Sequence, residues 1–386
     1  MDYFLTEEQI MIRDLARKFA DEKIRPVAAR YDESGEFPWE IMESLAGMDF
    51  FRIYLDAEFG GLGMGNMGLV LVTEELSKAC GGIALGFAAT ALGTMPILLF
   101  GSNAQKKKLL PDLASGKKLA AFGLTEPDAG SDVTNMKTTA KRDGDSYVLN
   151  GVKHFITNGG VAKIYTIIAS TDPSKGSRGA SAFIVEEGTP GFSYGKREHK
   201  MGIRASTTCE LIFEDCRVPK ENLIGKEGMG FPIALRTLDR SRPGVAAQAL
   251  GIAQGALDHA LEYARKRIQF GHPISSFQAI QFKFADMGTK IEAARALIYS
   301  VARMVDAGAK DFAKEAAMAK LFASDVAMEV TTEAVQIFGG YGYMKEYPIE
   351  KYMRDAKITQ IYEGTSEIQR NTIGRAMVKE AASKKG

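Results

Sequence analysis

Hydrophobic positions along this chain follow two different periods, and the changes of period divide it into three parts. Residues 1–117 have helical spacing, and Thr6 with Gln9 three positions later matches a capping box at the start of the first helix. Residues 118–228 show short apolar runs between turn signals, and helical spacing returns in residues 229–386. We therefore predict an α+β protein with an N-terminal α-helical domain, a middle β domain and a C-terminal α-helical domain over these ranges.

The middle part has the signals of antiparallel strands. Its apolar runs span residues 119–124, 147–149, 165–169, 182–185 and 209–213. Asp143-Gly-Asp145 and Asn158-Gly-Gly160 are turn signals close to these runs. Together they predict an antiparallel β domain inserted between two helical parts.

The C-terminal part contains a seam of apolar residues at alternating spacings of four and three. Its members are Ile280, Phe284, Met287, Ile291, Ala294, Ile298, Val301 and Val305. A second helical pattern extends from Phe312 to about Phe338. Two long helices with apolar seams predict a four-helix bundle, and the first seam would also suit an interface between subunits.

Composition and charge narrow the possible functions. The chain has 386 residues with 49 Lys+Arg and 48 Asp+Glu, a net charge of +1 without a basic block, which argues against nucleic-acid binding. Hydrophobic residues make up 45% and charged residues 25%, as in a soluble protein with a large core. Three cysteines and four histidines form neither CxxC nor HExxH, so we predict no metal site.

Two features bear on location in the cell. The first residues are acidic and resemble no signal peptide, so we expect a cytoplasmic protein. No residue between Lys78 and Lys106 is charged, and this stretch is long enough to cross a bilayer. Its glycines, Pro96 and several polar residues instead favour a buried helix, so we predict no membrane span.

One glycine motif is misleading. Gly63-Met-Gly-Asn-Met-Gly68 matches GxGxxG, and helical spacing follows it. A dinucleotide-binding fingerprint also needs a strand that ends at the first glycine and an acidic residue about 20 positions later. Residues 56–61 intervene before the motif, and Ala88 occupies the later position. We therefore interpret the motif as a glycine loop.

Two segments of the β domain have the residue types of a site for a polar, neutral ring. Phe122-Gly-Leu-Thr-Glu-Pro-Asp-Ala-Gly-Ser-Asp-Val133 is an apolar strand leading into a loop that offers hydroxyls and backbone N–H groups. His154-Phe-Ile-Thr-Asn-Gly159 places an aromatic residue before a threonine at a strand end. Read alone, the first segment would be an ordinary Pro-Asp turn and the second an ordinary strand with a polar edge.

A third segment contains a candidate base. In Gln360-Ile-Tyr-Glu-Gly-Thr-Ser-Glu-Ile-Gln-Arg370, Ser366 and Gln369 resemble a second capping box. Glu363 would then lie just before a helix N-terminus, where the helix dipole favours an ionised carboxylate. Its neighbours Ile361 and Tyr362 suggest an apolar cavity, the setting of a general base, although a solvent-exposed glutamate would fit this segment too.

These three segments, in this order and with this domain layout, resemble the acyl-CoA dehydrogenase family, and its short- and medium-chain members most. The resemblance covers essentially the whole chain. It extends to Tyr54-Leu-Asp-Ala-Glu-Phe-Gly-Gly61, Met201-Gly-Ile-Arg-Ala-Ser206, Arg267-Ile-Gln-Phe-Gly271, Gln336-Ile-Phe-Gly-Gly340 and Glu346-Tyr-Pro-Ile-Glu-Lys-Tyr-Met-Arg-Asp-Ala356.

The resemblance implies a flavoprotein, with residues for FAD and for an acyl-CoA. Those that would hold FAD within one subunit are Phe122, Leu124, Thr125, Gly130, Ser131, Phe155, Ile156 and Thr157, with Thr365 and Glu367 at the adenosine part. Those that would reach the FAD of a neighbouring subunit are Arg267, Phe270, Gln278, Gln336, Gly339 and Gly340. Those that would lie by the substrate are Ser131, Asp239, Arg242, Tyr362 and Gly364. Two positions depart from the family pattern, since many relatives have Trp at Phe155 and Gln at Glu367.

The implied reaction is α,β-dehydrogenation of an acyl-CoA to the 2-enoyl-CoA. Glu363 would take the α proton, the flavin N5 would accept the β hydride, and an electron-transfer flavoprotein would receive the electrons from a homotetramer. Some relatives have their base near residues 239–242, where this chain has Asp-Arg-Ser-Arg and no glutamate. Alternatives are an acyl-CoA oxidase, a nitroalkane-oxidising relative, which typically has an aspartate base, and a catalytically silent helical scaffold.

The resemblance aligns the uncharged stretch of residues 82–94 with the helix that forms the far end of the acyl cavity, so this stretch bears on the identity of the acyl group. It contains neither Arg nor an acidic residue, which argues against a dicarboxylate such as glutaryl-CoA. Its small residues Ala84, Gly86, Ala88 and Ala89 suggest a wide cavity, with Phe87 closing its depth. We expect an uncharged short- to medium-chain, branched or alicyclic acyl group, although these alanines would also suit packing against a neighbouring helix.

Overall fold

The computed structural model describes residues 3–383, so the first two and last three residues of the predicted terminal domains lie outside it. Its first part contains α1 (Glu7–Phe19), α2 (Ala28–Ser34), α3 (Trp39–Gly47), α4 (Gly65–Ala79), α5 (Gly81–Phe100) and α6 (Asn103–Ala114). The predicted capping box begins α1. The Gln9 N–H donates to Thr6 Oγ1 and the Thr6 N–H donates to Gln9 Oε1, each at 3.2 Å.

Helix α5 is the uncharged stretch of the sequence analysis. Among residues 3–383 it is the one helix long and apolar enough to cross a bilayer, with a mean hydropathy of 2.0. However, 78% of that stretch is buried, and the helix packs against α4 and α6, the β domain and the C-terminal helices. The prediction of a buried helix is confirmed.

The first two residues of the GxGxxG segment form a loop and the last four begin α4, so the predicted glycine loop is shorter than the motif. No strand precedes the motif among the described residues. A carboxylate of the chain itself occupies the position where a fingerprint would hold a pyrophosphate. Asp306 accepts hydrogen bonds from the N–H groups of Asn66 at 2.6 Å and Met67 at 2.8 Å. Backbone N–H groups at the N-terminus of α4 therefore have their hydrogen-bond acceptor within the protein.

The middle part is a single eight-stranded sheet. Its strands are β1 (Ala120–Gly123), β2 (Thr139–Asp143), β3 (Ser146–Thr157), β4 (Ile164–Ser170), β5 (Ala180–Glu186), β6 (Phe192–Arg197), β7 (Thr208–Pro219) and β8 (Leu223–Ile224). They follow the order β6-β7-β3-β2-β4-β5-β8, with β1 beside β4. Each of the five predicted runs overlaps a strand. The sequence analysis missed β2, β6 and β8, because β2 buries only one of its five residues, β6 buries none and β8 has only two residues.

The sheet is not wholly antiparallel, which corrects the prediction in one respect. Strand β1 runs parallel to β4, with Ala120 opposite Ile164 and Gly123 opposite Ile167. The chain between them includes the β2–β3 hairpin and is long enough for a crossover. The loop after β1 then lies against β3, where the His154 N–H donates to the Thr125 carbonyl at 2.8 Å.

The last part contains α7 (Gly230–Lys266), α8 (Gln278–Asp306), α9 (Ala313–Phe338), α10 (Ile349–Lys357) and α11 (Ser366–Ser383). Between α7 and α8 lies a small hairpin of β9 (Ile268–Gln269) and β10 (His272–Pro273). The long helices α7, α8 and α9 pack on one another and α11 packs on α9, so the predicted C-terminal bundle is built around α9.

The apolar seam of α8 faces the interior of this chain. From Met287 to Val305 its six members are buried, and the first two, Ile280 and Phe284, are half-buried against the core. Helix α8 packs on α4, α7 and α9. The seam therefore belongs to the bundle and gives no independent evidence for an interface between subunits.

Candidate active site

A cavity of about 440 Å³ lies where the β domain meets the helices, and all three segments singled out in the sequence line it. From β1, the loop after it and the end of β3 come Phe122, Leu124, Thr125, Gly130, Ser131, Phe155, Ile156 and Thr157. From the third segment come Tyr362, Glu363 and Gly364, and α7 adds Arg242. The structure thus brings predicted cofactor residues and the candidate base into one space.

A buried ion pair holds the two β-domain segments together. Lys153 of β3 is fully buried and its Nζ donates to Glu126 Oε1 at 2.6 Å and to the Leu124 carbonyl at 3.1 Å. Glu126 also accepts from the N–H groups of Lys137 at 2.6 Å and Thr138 at 3.0 Å. Burial lowers the pKa of Lys153 to about 8, although Glu126 opposes this. The pair therefore fixes the loop that contributes Leu124 and Thr125 to the cavity.

The end of β3 is irregular, and this irregularity presents an aromatic ring to the site. The pairing of β3 with β7 shifts register between Lys153 and Ile156, and Phe155 has φ of 58°. The Phe155 side chain is 59% exposed, and its ring stacks on His154 with centroids 3.9 Å apart. An exposed ring at a strained position in a cavity wall is available to stack on a bound planar group.

Glu363 lies in a strained turn between α10 and α11. Its φ is 51° and that of Gly364 is 95°, so two consecutive residues have left-handed backbone. Gln369 Nε2 donates to the carbonyls of Glu363 at 3.1 Å and Gly364 at 3.0 Å, and Lys320 Nζ donates to the Gly364 carbonyl at 2.7 Å. Side chains of α9 and α11 therefore hold the peptide groups on both sides of Gly364.

The predicted capping box at Ser366 is wrong. Helix α11 begins at Ser366 itself, and the residue before it caps the helix, since Thr365 Oγ1 accepts from the Ile368 N–H at 3.3 Å. The Gln369 side-chain amide donates to the carbonyls of the Glu363 turn instead of completing a capping box. The buried Ser366 hydroxyl has no hydrogen-bond partner among the described residues.

The Glu363 carboxylate is half-buried beside polar groups of α7. Ser241 Oγ donates to Glu363 Oε2, and Arg242 follows on the same helix. Burial raises the pKa of Glu363, and the Ser241 hydrogen bond, Arg242 and Lys320 oppose this only in part. Desolvation thus outweighs the helix dipole, which the sequence analysis expected to favour the ionised carboxylate. A carboxylate with a raised pKa is a stronger base for proton abstraction.

Arg242 and Asp239 form a buried pair at one wall of the cavity. Arg242 is 4% exposed, and its NH1 donates to Asp239 Oδ1 at 2.7 Å. Arg242 lines the cavity, whereas Asp239 does not. The place of Asp239 is therefore behind Arg242, where it balances the guanidinium charge, rather than in contact with the space for the substrate.

The structure does not place the remaining predicted cofactor residues on this cavity. Arg267, Gly339 and Gly340 line a separate groove of about 480 Å³. Phe270 is 93% exposed with φ of 51°. The others outside the cavity are Gln278, Gln336, Thr365 and Glu367. Of these, Thr365 and Glu367 nevertheless adjoin Gly364 and Ile368, which do line the cavity.

Three residues near the base were not predicted as site residues from the sequence. Ser241 binds the carboxylate, Lys320 binds the next peptide, and Gln248 accepts a hydrogen bond from the Tyr362 hydroxyl while its Nε2 donates to the Gly81 carbonyl at 2.9 Å. One sequence signal was available for Lys320. It falls on the apolar stripe of α9, four residues after Ala316, a position where a lysine is unusual.

Three family profiles match almost the whole chain. They are "Acyl-CoA dehydrogenase, N-terminal domain" over residues 6–117, "Acyl-CoA dehydrogenase, middle domain" over 121–216 and "Acyl-CoA dehydrogenase, C-terminal domain" over 228–378. The chain belongs to the acyl-CoA dehydrogenase family. It is an oxidoreductase of this family, of the short-chain type.

Individual relatives are similar over their full length. "Acyl-CoA dehydrogenase, short-chain specific" of Megasphaera elsdenii is 51% identical over 384 residues, which are 98% of this chain and 100% of the relative. The solved butyryl-CoA dehydrogenase of the same species has a TM-score of 0.96 at 51% identity and covers 98% of this chain and 100% of its own. A structure described as "Electron transferring flavoprotein of Acidaminococcus fermentans: Towards a mechanism of flavin-based electron bifurcation" has a TM-score of 0.96 at 53% identity, covering 98% and 99%.

Enzymes of this family use FAD, and the residues of this chain fit such a group. The cavity presents the hydroxyls of Thr125 and Thr157 and the exposed ring of Phe155. A Cβ atom added at Gly130 would meet no atom within 4 Å, so the loop backbone faces open space there. A second cavity of about 290 Å³ shares Phe155, Thr157 and Tyr362 with the first, which gives room for a flat ring beside an acyl group.

Proposed function

We propose that this chain desaturates a short, uncharged acyl-CoA between Cα and Cβ, with Glu363 as the base. The observation that carries the proposal is the place of the Glu363 carboxylate. It lines the same cavity as Thr125, Thr157 and the exposed Phe155 ring, and its pKa is raised by burial. The wall formed by α5 is apolar, with Leu85 and Leu92 among the residues that line it.

The chain's own residues account for the proton transfer. The α proton of an acyl thioester is acidic only when the negative charge that forms on the carbonyl oxygen is stabilised. We propose that the backbone N–H of Glu363 donates to this oxygen while the carboxylate takes the proton. Ser241 fixes one carboxylate oxygen and leaves the other for the substrate. Bound FAD supplies the hydride acceptor, which no side chain can provide.

The acyl wall supports a short, uncharged group. Of the small residues singled out in α5, Ala88 and Ala89 line the cavity, whereas Ala84 and Gly86 do not. Phe87 does not close its depth either, because its ring is buried against Phe51 and Tyr54. No charged residue of α5 lines the cavity, so a distal carboxylate would be buried without a partner on that side.

The Tyr362–Gln248 hydrogen bond supports a limit on the length of the acyl chain. Both residues line the cavity, and their polar groups are bonded to each other and to the start of α5 at Gly81. A longer chain would have to separate this pair and leave buried polar groups unsatisfied, which is costly. We therefore propose butyryl to octanoyl groups and compact branched or alicyclic groups as substrates, with the shortest preferred.

Assembly and electron transfer are part of the same proposal. Phe270, which is 93% exposed, and the groove at Arg267 and Gly340 suit contacts to the FAD of another copy, and we propose a homotetramer. The similarity to a chain from work on an electron transferring flavoprotein supports such a protein as the electron acceptor.

Purified protein tests this proposal directly. We expect a yellow protein that reduces an artificial dye with butyryl-CoA, cyclohexanecarboxyl-CoA and, less well, octanoyl-CoA, but not with glutaryl-CoA. A colourless preparation that binds no added FAD would support the silent scaffold. Rapid turnover with oxygen in place of the dye would support an oxidase, and efficient turnover of glutaryl-CoA would show that the acyl wall is assigned wrongly.

A further inference from the structure

Lys320 is a charged residue in the interior of the helical bundle. It has no exposed surface, and its neighbours on α9 include Ala316, Ala319 and Ala323, all buried. An ammonium group loses its hydration in such a place, so a buried lysine needs a compensating contact. Among the described residues its hydrogen bond goes to the carbonyl of Gly364 at 2.7 Å. The charge is thus directed at the turn that contains Glu363.

That turn is strained and depends on the groups around it. Glu363 is not a glycine, yet its φ is 51°, and such a conformation persists only where neighbours hold it. The Gly364 carbonyl accepts two hydrogen bonds, one from Lys320 Nζ and one from Gln369 Nε2. Gln369 belongs to α11, the helix that directly follows the turn, whereas Lys320 belongs to α9, a separate helix of the bundle. Lys320 therefore ties the turn to the bundle.

The same ammonium group acts on the charge of the base. It lowers the pKa of Glu363, as Arg242 does, while burial raises it. The other charged groups that face Lys320 are Asp325 of α9 and Glu367 of α11, and Asp239 balances Arg242. Burial lowers the pKa of Lys320 to about 8, although Glu363 opposes this.

We propose that Lys320 is a positioning residue for the base: it fixes the peptide after Glu363 and places a positive charge beside the carboxylate. It does not line the cavity, so it acts on the reaction through Glu363 alone. This inference rests on the proposed function of Glu363. Its two components, the hydrogen bond and the charge, are separable by substitution.

Lys320→Met removes the donor and the charge while keeping an unbranched chain, so the core stays filled. Lys320→Gln keeps a donor but not the charge. Lys314→Met is the matched control on the same helix, because Lys314 pairs with Glu315 and Glu380 instead. The measurements are the rate of flavin bleaching by butyryl-CoA between pH 6 and 9, and hydrogen–deuterium exchange of residues 361–368 in the FAD-loaded protein.

We expect Lys320→Met to slow bleaching by about 10- to 100-fold, the effect of a misplaced catalytic group. The acid limb of its pH profile should move up by about one pKa unit, and exchange in residues 361–368 should accelerate. Lys320→Gln should restore slow exchange but keep the shifted limb, and Lys314→Met should match the native protein.

A native pH profile and native exchange in Lys320→Met would overturn the proposal, and so would identical effects of Lys314→Met. If Lys320→Met does not fold, the acid limb of the pH profile of Lys320→Gln tests the proposal alone. An unshifted acid limb in that variant would exclude the effect of the Lys320 charge. The role of Glu363 is tested separately in the same assay. Normal bleaching by Glu363→Gln would refute the base, whereas an inert Glu363→Gln beside a normal Lys320→Met would refute only the role of Lys320.

Discussion

The buried Lys153–Glu126 pair gives a prediction whose magnitude follows from the structure. Glu126→Gln keeps the shape of the side chain but leaves the Lys153 ammonium, which is fully buried, without its counter-charge. Removing one partner of a buried ion pair costs about 3–5 kcal/mol. We expect about 3 kcal/mol, the lower end of that range. Burial already lowers the pKa of Lys153 to about 8, so the unpaired amine can lose its proton at a limited cost.

Urea unfolding of the apoprotein, followed by circular dichroism, measures this loss. FAD affinity should fall as well, because Lys153 also holds the Leu124 carbonyl in the loop that lines the cavity. Glu126→Gln combined with Lys153→Met should recover at least half of the stability, since no buried charge remains. Asp128→Asn, which breaks an exposed pair with Lys137, is the control and should change little. A loss below about 1 kcal/mol, or no recovery in the double variant, would refute the reasoning.

Three further predictions concern the cavity and its base. Ala88→Phe narrows the acyl wall and should reduce turnover of cyclohexanecarboxyl-CoA about 10-fold or more beyond its effect on butyryl-CoA, whereas an equal loss for both would contradict the assigned wall. Ser241→Ala removes a donor to the ionised carboxylate of Glu363, so the acid limb of flavin reduction should rise by about one pKa unit, and an unchanged limb would count against this contact. The raised pKa of Glu363 means that the folded protein holds this proton more tightly than the unfolded chain. Stability of the native apoprotein, measured by urea unfolding, should therefore fall as pH rises from the ordinary glutamate value through the raised one, and Glu363→Gln should lack this fall.

Local sequence patterns predicted the layout of the fold because the spacing of apolar residues changes at each domain boundary. The apolar runs located five of the eight strands, but β2 and β6 bury too few residues to form a run and β8 is only two residues long. The parallel pairing of β1 with β4 depends on a crossover, which no local pattern reports. The α8 seam had two interpretations, and only the packing of α8 on α4, α7 and α9 distinguishes them.

The residues of the candidate site also differ in whether a local sequence pattern could identify them. Glu363 and the two β-domain segments were found because the chemistry and the resemblance both point to short, continuous motifs. Ser241, Gln248 and Lys320 act through contacts across more than 40 residues, so no motif contains them. The Ser366 capping pattern misled because the Gln369 side chain donates to the Glu363 carbonyl, six residues earlier, instead of completing a capping box with Ser366.

Anaerobic mixing of FAD-loaded Glu363→Gln with butyryl-CoA is the most direct test of the central claim that Glu363 is the base. The variant should bind the acyl-CoA, shown by a perturbed flavin spectrum, because the cavity walls are unchanged. Bleaching should be slower than in the native protein by about 10²–10⁴-fold, the contribution of a general base. Bleaching at a near-native rate would contradict the account.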